Sequence, residues 1–74
     1  MANRKAKTPQ QIVDQTNNLA RQFYRCNGYD VPTGYRFDLA THPQERQMWD
    51  MACLAFDELL QTDPNDALIE LEES

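Results

Sequence analysis

The sequence predicts a small all-α protein: a helical hairpin with an aromatic connecting loop and a short C-terminal helix. Two long segments, about 9–27 and 43–61, repeat apolar residues at helical spacing, and each begins with a capping residue followed by proline. A third proline-initiated segment covers about 64–72. The 74 residues allow one domain, predicted over 8–72, preceded by a flexible basic tail over 1–7.

The first helix has clear signals at both ends. Thr8 is followed by Pro9 and, three positions after Thr8, by Gln11, which is typical of a capping box. Gly28 ends the helix because glycine adopts the left-handed conformation at little cost. One face of the helix is apolar and carries Ile12, Val13, Leu19, Ala20, Phe23, Tyr24 and Cys26.

The segment between the long helices contains three aromatic rings, Tyr29, Tyr35 and Phe37, around a turn predicted at Pro32 and Gly34. Rings left in water would forfeit about 1.5–3 kcal/mol each. We therefore expect an ordered loop whose rings pack against the helices. A short extended pair around the turn is the alternative.

The second helix has two alternative N-caps and ends near Gln61. Either Thr41 is the cap and Gln44 reaches back to it, or His42 is the cap, with Pro43 at the first position and Glu45 reaching back. Asp63, which precedes a proline, then begins the short third helix over 64–72.

The second helix is more apolar than a single buried face requires. At 100° per residue its apolar arc covers about 200°, whereas a surface helix needs a stripe of about 100°. One interpretation is that the aromatic loop and the third helix cover the whole arc. The other is that part of the arc binds a partner, for which tryptophan and methionine are favoured anchors. The predicted apolar binding residues are Met48, Trp49, Met51 and Leu54.

Charge is divided unevenly along the chain. Residues 1–36 carry six basic and two acidic side chains, a net charge of +4, while residues 37–74 carry one basic and ten acidic, a net charge of −9. An acidic surface steers binding toward basic partners. The predicted acidic binding residues are Asp50, Asp57, Glu58, Asp63 and Asp66. An alternative is nucleic-acid binding by Arg21, Arg25 and the tail, which the overall charge of −5 disfavours.

No catalytic, metal or nucleotide motif is present, and the chain has only two glycines. His42 is expected to be a residue at a helix start, and Cys26 and Cys53 to be buried thiols, too few for a structural zinc site. We expect no enzymatic activity, no cofactor and no metal. The absence of a long apolar run and the low cysteine content predict a cytoplasmic protein.

Part of the chain resembles small accessory proteins from the early regions of enterobacterial temperate phages and prophages. The resemblance covers about residues 20–60 and rests on the runs QFY (22–24), GYDVPTGYRF (28–37) and THPQERQMW (41–49). It implies a bacterial host cell and a protein that inhibits or modulates host machinery. Combined with the charge, it predicts non-catalytic binding to a host protein with a basic surface. A self-associating structural or regulatory protein is the alternative from a different class.

Overall fold

A computed structural model describes residues 7–73 of the chain. Over these residues the order of elements is α1 (Pro9–Cys26), a single 3₁₀ turn (Phe37–Leu39), α2 (Pro43–Leu60) and α3 (Pro64–Glu72). The described part contains no β-strand, so the all-α prediction is confirmed and the helix bounds agree within one residue. The extended alternative for the loop is wrong. The predicted tail lies outside the described residues except for its last position.

Helix α1 is capped at both ends, as its sequence predicts. The Thr8 hydroxyl accepts a hydrogen bond from the backbone N–H of Gln11 at 3.2 Å, and the Gln11 side chain accepts one from the backbone N–H of Thr8 at 3.0 Å. At the other end, Gly28 has φ of +90°, and the N–H of Tyr29 donates to the carbonyl of Tyr24 at 3.1 Å. This is the Schellman arrangement, in which a left-handed glycine satisfies the last helical carbonyls.

The N-cap of α2 is His42, so the second predicted cap is correct, although Glu45 does not reach back to it. His42 Nδ1 accepts a hydrogen bond from the backbone N–H of Gln44 at 3.3 Å. The carboxylate of Glu45, three residues after His42, accepts hydrogen bonds from the phenols of Tyr24 and Tyr35. Glu45 therefore joins α2 to α1 and to the connecting loop.

The elbow between α2 and α3 is tight. Helix α2 ends at Leu60, and its C-cap, Gln61, adopts the left-handed conformation with φ of +53° although it carries a side chain. Asp63 then caps α3, because its carboxylate accepts a hydrogen bond from the backbone N–H of Asn65 at 2.9 Å. The elbow folds α3 back so that α1 packs against both α2 and α3.

The core lies where the three helices and the connecting loop meet. Trp49 and Phe37 are its largest fully buried side chains. The indole Nε1–H of Trp49 donates to Asn65 Oδ1 at 3.2 Å, which links α2 to α3. Other buried apolar residues of the core cluster are Val13, Ala20, Tyr24, Met48, Ala52, Cys53 and Ala67.

The aromatic loop packs against α1, as expected. Tyr29 stacks on Tyr24 with ring centroids 5.1 Å apart, while Phe37 meets Tyr24 and Tyr35 edge to face at 5.6 Å and 5.0 Å. Phe37 is fully buried, whereas Tyr29 stays about half exposed at 47%. The rings fix the path of the loop between the two long helices.

A buried carboxylate, that of Asp38, secures the loop. It accepts hydrogen bonds from Arg36 Nη2 at 2.6 Å and from Asn17 Nδ2 at 2.9 Å. Burial by itself raises the pKa of Asp38, but the Arg36 guanidinium and the Asn17 amide outweigh it and lower the pKa below its ordinary value. The carboxylate is thus kept charged while the Asn17 amide ties the loop to α1.

Candidate protein-binding surface

The apolar arc of α2 is divided between the core and the surface. Met48 and Trp49 are 5% and 0% exposed, and Phe56 is buried beside them. Trp49 also uses its indole N–H within the chain. Met48 and Trp49 were predicted as binding anchors, and this prediction is wrong because α1, α3 and the loop cover their side of α2.

Part of the arc faces outward, as does Leu54 just outside it, whereas Ala52 and Cys53 of the arc are buried. Met51 and Leu54, both predicted as binding residues, are 39% and 61% exposed. Leu59 and Leu60, in the last turn of α2, are 80% and 56% exposed and were not among the predicted binding residues. A helical wheel places residues around the axis but not along it, so it assigned Leu59 to the same face as the buried Met48. The signal that could have found them is their position in the final turn, beyond the reach of the core.

A shallow groove crosses this exposed end of α2. It is lined only by apolar residues, Leu19 from α1 and Ala55, Phe56, Leu59 and Leu60 from α2, and its volume is about 170 Å³. Small-molecule sites typically measure about 300–1,000 Å³. The groove therefore has room for a single side chain of a partner rather than for a metabolite. We call these five residues the apolar groove.

A second depression lies at the elbow between α2 and α3. Its lining includes three carboxylates, those of Asp50, Asp57 and Asp63, together with Cys53 and Leu54. Burial, then the negative charges of Asp50 and Asp63, raise the pKa of the Cys53 thiol to about 12. Burial and the neighbouring carboxylates both disfavour the thiolate, so the Cys53 thiol stays neutral.

Two of these carboxylates also have internal roles. Asp50 lies 3.9 Å from the guanidinium of Arg46 one turn earlier on α2, and Asp63 caps α3. The fold thus brings together three of the five predicted acidic residues around the exposed Leu54. The other two, Glu58 and Asp66, are exposed on α2 and α3 but do not line the depression.

The acidic character extends well beyond the depression. Residues 47–73 contain no lysine, arginine or histidine. The carboxylates of this stretch all belong to exposed residues, namely Asp50, Asp57, Glu58, Asp63, Asp66, Glu70, Glu72 and Glu73. The exposed surface of residues 47–73 therefore carries carboxylates and leucines but no basic side chain.

The two arginines considered for nucleic acid contact the aromatic loop. Arg21 Nη2 donates to the carbonyl of Pro32 at 3.1 Å, and Arg25 Nε lies 3.3 Å from Asp30 Oδ1. Both contacts join α1 to the start of the aromatic loop. Both arginine side chains therefore help to hold the loop against α1.

The remaining chemical candidates have structural positions. His42 caps α2, and Cys53 is buried as expected. Cys26 was expected to be buried too and is exposed, because it ends α1 at the edge of its apolar face. Among residues 7–73 no three His, Cys, Asp or Glu side chains are grouped closely enough to hold a metal ion. None of the helices in this range has the length and apolarity needed to cross a bilayer.

Comparison with protein-family models, with curated proteins and with solved structures finds no match for this chain.

Proposed function

We propose that this protein is a non-catalytic binding module whose α2–α3 surface engages a protein partner with a basic surface. One observation carries the proposal: the exposed carboxylates of Asp50, Asp57, Glu58 and Asp63 lie near the exposed leucines of α2, in a stretch, residues 47–73, without any basic side chain. Glu72 and Glu73, at the C-terminal end of α3, do not line the depression and lie outside this site. Carboxylates steer a basic partner toward the surface and select against acidic ones. The exposed leucines supply apolar area that gains free energy when an interface covers it.

The resemblance to phage accessory proteins extends the proposal to a biological setting. In a bacterial host, proteins that handle nucleic acid present basic grooves, and an acidic protein of this size occupies such a groove in place of the nucleic acid. We therefore propose that the partner is a host nucleic-acid-handling or defence factor, and that binding modulates or inhibits it. What supports this is the negative charge of the surface together with the sequence resemblance.

The test is affinity purification from a bacterial lysate with the full chain as bait. The site variant Asp57→Asn/Glu58→Gln is compared with a matched control, Glu72→Gln/Glu73→Gln. Each raises the net charge from −5 to −3, so overall charge is held equal. We expect a partner captured by the wild type and the control and lost from the site variant and at high salt. No capture, or equal loss from both variants, contradicts the proposal.

Self-association is a second candidate, favoured by the exposure of the apolar groove. Two copies that each bury Leu59 and Leu60 would remove apolar surface from water. Light scattering at high protein concentration distinguishes a self-associating protein from a monomeric binding module. A single species of 8.6 kDa excludes self-association, and a species of twice that mass supports it.

A further inference from the structure

We propose that the partner segment seated on α2 is an amphipathic helix that places an apolar side chain in the apolar groove and lysine or arginine side chains against the carboxylates beside it. This inference rests on the proposed function and specifies the shape and chemistry of the partner. It is carried by the arrangement of exposed residues along α2.

Two exposed apolar residues of α2 and the half-buried alanine between them form a strip parallel to the helix axis. Met51, Ala55 and Leu59 follow one another at intervals of four residues, so they lie on one face of α2. From Met51 to Leu59 the helix rises by eight residues, about 12 Å at 1.5 Å per residue. That length matches about two turns of a docked helix, which presents apolar anchors at spacings of three and four residues.

The apolar groove lies at the C-terminal end of the strip. Leu59 belongs to both, and Leu19 of α1 forms the opposite wall. Because Leu59 is 80% exposed, the groove offers most of a leucine side chain for contact. An anchoring side chain of the partner enters between the two helices and thereby fixes the position of the docked helix.

Negatively charged side chains of α2 lie beside the apolar strip. Leu54 and Glu58, also four residues apart, form the adjacent line on α2, and Asp50 and Asp57 lie beyond them at the elbow depression. The apolar strip is therefore bordered by carboxylates along one side. A helix with leucines on one face and lysines or arginines at its edge complements both features at once.

The same charges argue against a second copy of this chain as the occupant. A two-fold interface places the same patch on both sides, so Glu58 and Asp57 of one copy would approach the carboxylates of the other. Like charges facing one another across an interface are unfavourable. An extended strand is also a poor occupant, because residues 7–73 contain no strand and hence offer no sheet edge for it to extend.

The experiment uses three synthetic peptides of about 15 residues, long enough to form a helix on the surface. The first is an amphipathic leucine–lysine helix, the second has glutamate in place of lysine, and the third is a scrambled leucine–lysine sequence without an apolar face. Affinity and backbone NMR shifts are measured on the full chain. We expect tight binding of the first peptide only, with the largest shifts at Leu19, Ala55 and Leu59.

Two exposed apolar residues provide matched variants. Leu59→Ser removes a wall of the apolar groove and is expected to weaken binding of the leucine–lysine helix about tenfold or more. Ile69→Ser changes a residue of α3 that is 51% exposed and does not line the groove, so affinity should stay within about twofold. Both positions are exposed, and urea unfolding of each variant confirms that the fold is kept.

The outcomes separate this inference from the proposed function. No binding, equal binding of the glutamate or scrambled peptide, or equal weakening by Ile69→Ser overturns the helix inference. If a lysate partner is still captured in a charge-dependent manner, the proposed function stands without it. A wild-type dimer that Leu59→Ser dissolves identifies a second copy as the occupant and also overturns the inference.

Discussion

Replacement of Trp49 tests whether this side chain belongs to the core or to the binding surface. The indole is fully buried, and tryptophan-to-alanine changes in cores cost about 3–5 kcal/mol. A domain of this size has a net stability of roughly 3–5 kcal/mol. Trp49→Ala is therefore expected to unfold most of the protein. Far-ultraviolet circular dichroism during urea unfolding measures the loss.

A smaller change at Trp49 separates the contribution of ring packing from that of the hydrogen bond to Asn65. Trp49→Phe keeps an apolar ring but removes the hydrogen bond to Asn65 and leaves a small void, for a cost of about 2 kcal/mol. Asn65→Ala leaves the buried indole N–H without its partner and costs about 1 kcal/mol. In the Trp49→Phe background, Asn65→Ala should cost less than about 0.5 kcal/mol. The double-mutant cycle is thus expected to show a coupling of about 0.5–1 kcal/mol.

The opposite pattern would refute this reasoning. If Trp49→Ala stays folded with an unchanged urea midpoint and instead loses its partner, Trp49 is a surface anchor. If the cycle shows no coupling, the contact between the indole and Asn65 does not stabilise the fold.

Three further predictions follow from the polar contacts and the backbone. Because the pKa of Asp38 is lowered below its ordinary value of 3.8, its stabilising effect is present above that pH and is lost as the pH falls further. Asp38→Asn should cost about 1–2 kcal/mol at neutral pH and flatten the loss of stability in acid, as measured by urea unfolding at several pH values. The Glu45 carboxylate, then burial, raise the pKa of Tyr35 from 10.0 to about 12, so the stability this phenol contributes is present below pH 10 and lost as the pH rises toward 12. Glu45→Gln should bring the phenolate absorbance titration of Tyr35 back toward 10, and an unchanged titration contradicts the contact. Gln61→Gly should raise the free energy of unfolding by about 0.5–1 kcal/mol, since glycine adopts the left-handed conformation without a side-chain clash, and a loss of stability would show that the glutamine is not strained there.

The helices could be predicted from the sequence because the residues that cap them lie within a few positions of each helix end. Thr8 with Gln11, Gly28, and Asp63 before a proline each act within a few residues of the chain. Such signals do not depend on what packs against the helix. The fold class and the bounds of the helices were predictable for this reason.

The division of the α2 apolar arc was not predictable, because it depends on contacts distant in sequence. Trp49 is buried by α3 and receives a partner in Asn65, while Leu59 on the same helix extends past the core. Likewise, Glu45 bonds to two tyrosines rather than to its own helix start. A helical wheel drawn for α2 alone does not show which of its turns are covered by α1, α3 or the loop.

The acidic residues of the site were predictable as a group, since charged side chains remain exposed in nearly every fold. Their arrangement was predictable only in part. Asp50, Leu54 and Asp57 share one face of α2 through helical spacing, whereas the position of Asp63 beside them depends on the path of the chain through the elbow.

The central claim is that the acidic, leucine-bearing surface of α2 and α3 binds a basic partner. The most direct measurement is the affinity for the captured partner at about 0.1 M and about 1 M salt, between which the screening length falls from about 10 Å to about 3 Å. We expect the wild type and Glu72→Gln/Glu73→Gln to lose affinity steeply with salt and Asp57→Asn/Glu58→Gln to show a much flatter dependence. An affinity independent of salt, or the same dependence in both double variants, would contradict the claim.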